Sequence, residues 1–166
     1  MIVVSNTSPI TSLSAIGYVN LLHDIYGTII IPSAVYEEMT HVGYAVPGTI
    51  EVTTLSWIEK RTLENRSLFE QLNHELHRGE SETIALAIAL GADRVIMDEN
   101  PGRKKALSLR LNVIGVLGIL LIAKRRGLIT AIKPLMDDLI SQAGFRINRA
   151  LYLDVLQSAQ EEKSVL

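Results

Sequence analysis

A parallel sheet covered by helices, an α/β fold, is what three features of the sequence predict. Short apolar runs alternate along the chain with stretches of helical spacing. The first of those runs is apolar throughout, as a strand buried on both faces is. Prolines open several of the helical stretches (Pro9, Pro32, Pro101) and glycines close several others (Gly27, Gly91, Gly127).

Ile2 to Ser5 reads as the first strand, and Ser8-Pro9 then supplies an N-cap hydroxyl and a proline at the first helical position. A further helical stretch around Tyr18 to Tyr26 ends at Gly27. The β-branched run Thr28 to Ile31 is the second strand, after which Pro32 opens a helix through Val35, Glu38 and Met39. A loop covers His41 to Gly48, Thr49 to Thr54 reads as a short edge strand, and Leu63 to Leu76 has helical spacing through Leu68, Leu72 and Leu76. Gly79 breaks that pattern.

From Glu80 to Leu90 the chain is an alanine-rich helix closed by Gly91, and the strand Arg94 to Met97 follows and delivers Asp98. Pro101 starts a helix through Leu109, Asn112 to Ile114 is a short strand, and Val116 to Arg126 is a helix ending at Gly127. Helices at about Ile132 to Gln142 and Arg149 to Glu161 complete the chain. No repeat or linker divides it, so its 166 residues are expected to form one domain.

Composition narrows the chemistry. Hydrophobic residues make up 48% and charged ones 20%, which is globular and excludes low-complexity or collagen-like chains. With no cysteine, disulfides, thiolate zinc sites and cysteine nucleophiles are excluded, so a metal must be held by oxygen or imidazole. No basic leader precedes an apolar stretch, and the longest apolar run, Val113 to Ala123, falls far short of the ~20 residues of a membrane span. A soluble, cytoplasmic protein is expected.

The net charge of −2 hides an uneven layout. Glu70 to Glu99 carries seven acids against Arg78 and Arg94, whereas Arg103 to Arg126 carries seven bases and no acid. Solvated helix faces account for such runs; so does an acidic pocket beside a basic rim, which suits a metal-dependent enzyme acting on a polyanion.

In open parallel sheets, ligands bind outside the carboxyl ends of the strands. Four polar positions fall there: Asn6 after the first strand, Glu38 on the helix after the second, Glu80 opening the alanine-rich helix, and Asp98 ending the next strand. Carboxylates so gathered repel one another unless a divalent cation sits among them, and oxygen ligation favours Mg²⁺ or Mn²⁺. Each residue also has an ordinary structural role: Glu80 favoured by the helix dipole, Glu38 exposed on its helix, Asp98 in a turn, and Asn6 bonding local backbone. His74 and His77 stand three apart with no HExxH pattern and read as a surface pair. The Gly115 and Gly118 pair lacks the lysine and length of a phosphate loop. The stripe Leu117, Leu120 and Leu121 reads as core or a dimer face.

Taken together, "VVSNTSPI", "GTIIIPSAVYEEM", "GESETIALAIALGADRVIMDENPGRKKA" and "GVLGILLIAKRRGLI" resemble the PIN-domain family, and within it a branch of small prokaryotic proteins that open in this way. The matching segments lie within residues 1 to 40 and 79 to 129. The resemblance implies a three-layer α/β/α sandwich, with residues 1–130 as its core and 131–166 as a C-terminal helical extension. It further implies a Mg²⁺- or Mn²⁺-dependent ribonuclease, frequently the toxin of a toxin-antitoxin pair, with RNA and an antitoxin as partners and a homodimer as the assembly.

Carried over position by position, the family's acidic ring falls at Asn6, Glu38, Glu80 and Asp98. Glu82 lies close to the third position, but the family's last two acids are about 18 residues apart, which favours Glu80. Asn6 stands where most nucleases of the family have aspartate, although this branch often has asparagine. A carboxamide oxygen coordinates Mg²⁺ but brings no charge and cannot act as a base. Weak catalysis, or an inactive module that binds nucleic acid or protein, is the alternative. Thr7, Ser8 and Asn100 are candidate substrate contacts, and Arg103 and Lys104 face the nucleic-acid backbone, with Lys124, Arg125 and Arg126 extending that track. A dimerising partner protein with no nucleic-acid role is a third reading.

Overall fold

The computed structural model describes residues 1–41 and 43–161. Strands β1 (Val3–Ser5), β2 (Ile29–Pro32), β3 (Ile58–Arg61), β4 (Arg94–Ile96) and β5 (Val113–Ile114) form one five-stranded sheet in the order β3-β2-β1-β4-β5. Every pairing is parallel, with Val4 opposite Ile30, Ser5 opposite Ile96 and Ile96 opposite Ile114. Strand order runs outward in opposite directions from β1. The crevice at the carboxyl ends of β1 and β4 is therefore the topological switch point, where side chains of two diverging connections face one another.

Successive strand residues point to opposite faces, and each face is covered. Val3, Ile29, Ile31, Ile58, Ile96 and Ile114 pack beneath α1 (Thr7–Ala15), α2 (Asn20–Tyr26), α3 (Ser33–Thr40) and α8 (Val116–Arg125). Val4, Ile30 and Val95 pack on the other side with α6 (Arg78–Leu90), α5 (Ser67–Leu72) and α7 (Gly102–Ser108). The result is a three-layer sandwich with a parallel sheet at its centre, as the alternating pattern predicts. Leu120 is fully buried in the first layer, with Leu117 and Leu121 packed beside it.

The last two helices, α9 (Lys133–Gln142) and α10 (Arg149–Ser158), add Leu135, Met136, Leu139, Val155 and Leu156 to that same first layer. Glu161 pins this end down. Its carboxylate accepts from Ile132 N at 2.7 Å, Lys133 N at 3.1 Å and Lys124 Nζ at 2.8 Å, so it caps α9 and ties α8 to it.

Four sequence expectations need correction. Thr49–Thr54 is a helix, α4, not an edge strand; left-handed Gly48 opens it, and the Thr53 and Thr54 hydroxyls bond carbonyls one turn back. The strand at that edge of the sheet is β3, only Ile58 of which is buried, so its sequence IEKR carries almost no apolar signal. In the 63–76 segment only Ser67–Leu72 is helical. Helix α1 starts at Thr7 with Asn6 as its N-cap, so Pro9 sits inside the first turn, where no intrahelical N–H is needed.

Candidate active site at the carboxyl edge of the sheet

Asn6 leaves β1 with its backbone N–H bonded to Ile96 O at 3.0 Å, which holds the ends of β1 and β4 side by side. Its side chain, although the residue is the N-cap of α1, makes no capping bond. The local-backbone role is thus not taken up, and the carboxamide of a residue only 4% exposed lines a pocket of about 240 Å³ instead. Thr7, Ser8, Glu38, His77, Glu80 and Glu99 line the same pocket.

Glu38 reaches it from α3. Two contacts between α3 and α6 set its position: Glu82 Oε2 accepts from Ala34 N at 2.9 Å, and Arg78 pairs with Glu37 at 2.6 Å. These bring Glu38 against Gly79, where a Cβ would collide with its Oε1. The Thr7 hydroxyl donates to Glu38 Oε2 at 2.5 Å and orients the carboxylate from the opposite side. Gly79 is accordingly inside α6, not a break before it, and its missing side chain is the space that Glu38 fills.

Glu80 is buried at the start of α6 and forms a capping box with His77, whose backbone N–H donates to Oε2 at 3.2 Å. The helix-end role thus occupies Oε2. Oε1 lies against Gly102, 2.9 Å from where a Cβ would stand. Burial pushes the Glu80 carboxyl above its usual range; His77 opposes the rise, and the charges of Glu99 and Glu38 add to it.

Asp98 follows β4, and its two oxygens accept from Val116 N at 3.1 and 3.3 Å, the first amide of α8. A Cβ on Gly115 would collide with Asp98 Oδ1. Burial raises the Asp98 pKa to about 6 against the opposing pull of Val116 N–H and Arg103, with Glu99 adding to the rise. Each of the three acids thus packs on a glycine of a different helix or its cap: Glu38 on Gly79 of α6, Glu80 on Gly102 of α7, Asp98 on Gly115, the N-cap of α8.

Asn6, Glu38 and Glu80 share the smaller pocket, whereas Asp98 lines an adjoining groove of about 890 Å³ together with Asn100 and Arg103. Glu99, Ser8 and Thr11 belong to both. Among the described residues, no three carboxylate or imidazole side chains are gathered tightly enough to enclose an ion as placed. The donor set nonetheless fits a hard divalent cation: all of it is oxygen, and among the described residues no Lys or Arg forms an ion pair with Glu38, Glu80, Asp98 or Glu99. Burial is the main cause that lifts Glu80 and Asp98, with the charge of Glu99 adding to both, and a cation held among them would offset the rise.

Two acids that sequence reasoning left outside the site matter here. Glu99 stands between pocket and groove; its adjacency to Asp98 at a strand end was the available signal. Glu82 is 1% exposed and accepts from Ala34 N and from Arg66 at 3.2 Å, so it braces α3 against α6 and is not free to ligate. His77, read as half of a surface pair, is exposed but also caps α6 and lines the pocket.

Among the bases, Arg103 donates to Met97 O at 2.9 Å and lines the groove, and Lys104 is exposed beside it. The track expected at Lys124, Arg125 and Arg126 is corrected. These residues end α8, about 15 Å of helix from Val116. Lys124 is paired with Glu161, and Arg126 donates to Ile25 O near the amino end of β2, the opposite edge of the sheet.

A family model described as a PIN domain matches residues 2–161 of the chain. No curated protein and no solved structure matches it.

Proposed function

The chain belongs to the PIN-domain family, and from that membership we propose that it is a metal-dependent ribonuclease whose site is built on Asn6, Glu38, Glu80 and Asp98. PIN domains are typically nucleases and generally use divalent metals, which gives the coarse activity. The observation that carries the finer reading is the set of glycine-seated carboxylates at the β1/β4 switch point, Glu80 buried, Asp98 half-buried and Glu38 exposed, beside a concave surface and with no ion pair among the described residues.

In this reading Glu38, Glu80 and Asp98, with the Asn6 carboxamide, hold Mg²⁺ or Mn²⁺. A cation held by these residues would supply charge neutralisation at the phosphodiester and a lowered pKa for a bound water. The protein's own groups do the positioning. Thr7 fixes one oxygen of Glu38, His77 N–H fixes one oxygen of Glu80, and Val116 N–H orients Asp98. Burial raises the proton affinity of Glu80 and Asp98 in the metal-free protein, and a bound cation would favour their deprotonated, ligating forms. Arg103 and Lys104 offer positive charge to the RNA backbone, and Thr7, Ser8 and Asn100 offer polar contacts along the way.

The direct test is cleavage of a labelled single-stranded RNA with Mg²⁺ or Mn²⁺. Cleavage is expected for the parent and should vanish in Asp98→Asn with folding retained; undiminished cleavage in that variant would overturn the site.

The neutral charge of Asn6 favours one second reading, a weakly active or inactive module that still binds nucleic acid or protein. The toxin role, an antitoxin partner and a homodimer rest on the resemblance of the opening segment to its branch. Copurification with a small, proteolytically labile protein, and the mass of the purified particle, test them.

A further inference from the structure

The 890 Å³ groove beside Asp98 is larger than one ion and its water require, and its far wall comes from an unexpected place. Residues 143–146, in the connection between α9 and α10, line it together with Ser8, Thr11 and Ser12 of α1, so the C-terminal helices reach the site as well as the core. Phe145 on that connection is half-buried against the core and lines the groove. Arg146 beside it is exposed and forms no ion pair among the described residues.

We propose that this connection supplies a nucleotide subsite, with Phe145 as a stacking face for a base and Arg146, which lines the same groove as Arg103, as a phosphate partner for single-stranded RNA. The inference rests on the ribonuclease reading for the identity of the strand and deepens it by naming what holds the strand.

Three observations support it. The groove is continuous with the acidic pocket through Ser8, Thr11 and Glu99, so a strand lying in it passes Asp98. Its charge is arranged to suit an anion that must approach carboxylates: Arg103 and Arg146 line the groove, and Ser8 and Thr11 add hydroxyls. Its volume is that of a site for a ligand of nucleotide scale, not for a duplex, and Asp98 lies half-buried in it. A single strand, with unstacked bases free to lie on an aromatic ring, fits those walls.

The test uses the full-length protein and a fluorescein-labelled, unstructured 12-nucleotide RNA, read by anisotropy in EDTA over a range of salt. Phe145→Leu is expected to weaken binding about tenfold, and Phe145→Trp to preserve it, because any aromatic face serves. Arg146→Ala is expected to weaken binding at low salt and to lower the slope of log affinity against log salt by about 0.7. Since Arg146 is exposed, this variant decides the matter even if Phe145→Leu melts early. Parent-like affinity and slope in Arg146→Ala, parent-like affinity in Phe145→Leu, or no RNA binding by the parent overturns the subsite. Cleavage separates the two ideas. If Asp98→Asn alone abolishes it while these variants bind as the parent does, the nuclease stands and the subsite falls. Weakened binding in the variants with no cleavage by the parent leaves the subsite standing and removes the nuclease.

Discussion

The Glu38 carboxylate occupies the space that a side chain on Gly79 would fill, so the geometry of one candidate ligand is set by the absence of a group on another helix. Stability and activity are expected to separate at this point. Alanine has a better helix propensity than glycine by about 1 kcal/mol, and Gly79 lies within α6. In Gly79→Ala the flexible end of Glu38 must swing away from Oε1's present position. Thermal melting is expected to stay within a few degrees of the parent while metal-dependent cleavage falls at least tenfold. A large loss of melting temperature would mean that the contact is structural.

Glu82 and Glu80 are two residues apart and should respond oppositely. Glu82→Ala leaves Ala34 N–H without its acceptor and frees Arg66, so urea unfolding should show a loss of roughly 1–3 kcal/mol. Glu80→Gln removes a buried, unneutralised charge and should be neutral or stabilising in metal-free protein, while abolishing cleavage. Equal destabilisation by both changes would deny Glu80 a functional role.

The same contrast shows what was legible in the sequence. β1, β2 and β4 were readable because they are largely buried on both faces and hence mostly apolar, with only Ser5 and Arg94 interrupting the runs, and α6 because Gly91 closes it in the left-handed conformation. β3 was not, because an edge strand with one buried residue has no hydrophobic pattern. α4 was misread because threonine's strand preference depends on context and is overridden here, where left-handed Gly48 starts the helix and Val52 is buried in the core. In the site, residue type and order picked out Glu38, Glu80 and Asp98, but spacing along the chain cannot say that Asp98 faces a separate groove or that Glu99 bridges the two. Those facts depend on how α8 and α1 sit across the sheet edge.

Asn6→Asp tests the neutral position directly. The Asn6 side chain makes no capping bond, so its replacement costs no local hydrogen bond, and an aspartate N-cap is as good as asparagine. The added charge joins Glu38 and Glu80 around one pocket. Mg²⁺ affinity, measured by calorimetry, is expected to rise about tenfold or more, and metal-free protein to lose stability through repulsion. If cleavage appears only in the variant while the parent binds RNA, the binding-module reading replaces the nuclease.

The pKa of Asp98 gives a pH dependence with a definite sign. Its folded value, about 6, lies above the ordinary 3.8, so the folded state holds the proton more tightly than the unfolded chain does. The stability this contributes is fully present below about pH 4 and is lost as pH rises through 6, a difference on the order of 3 kcal/mol before solvent and other groups reduce it. In metal-free protein, urea unfolding from pH 4 to 7 should show this decline superimposed on the rest, and Asp98→Asn should remove it. Because a cation favours the deprotonated carboxylate, Mg²⁺ should restore stability above pH 6 in the parent and do so less in Asp98→Asn. The same proton competes with metal, so cleavage should rise with pH through this window as stability of the metal-free form falls. A parent and variant with parallel pH profiles, with and without Mg²⁺, would place Asp98 outside the metal's reach and leave it as the cap of α8.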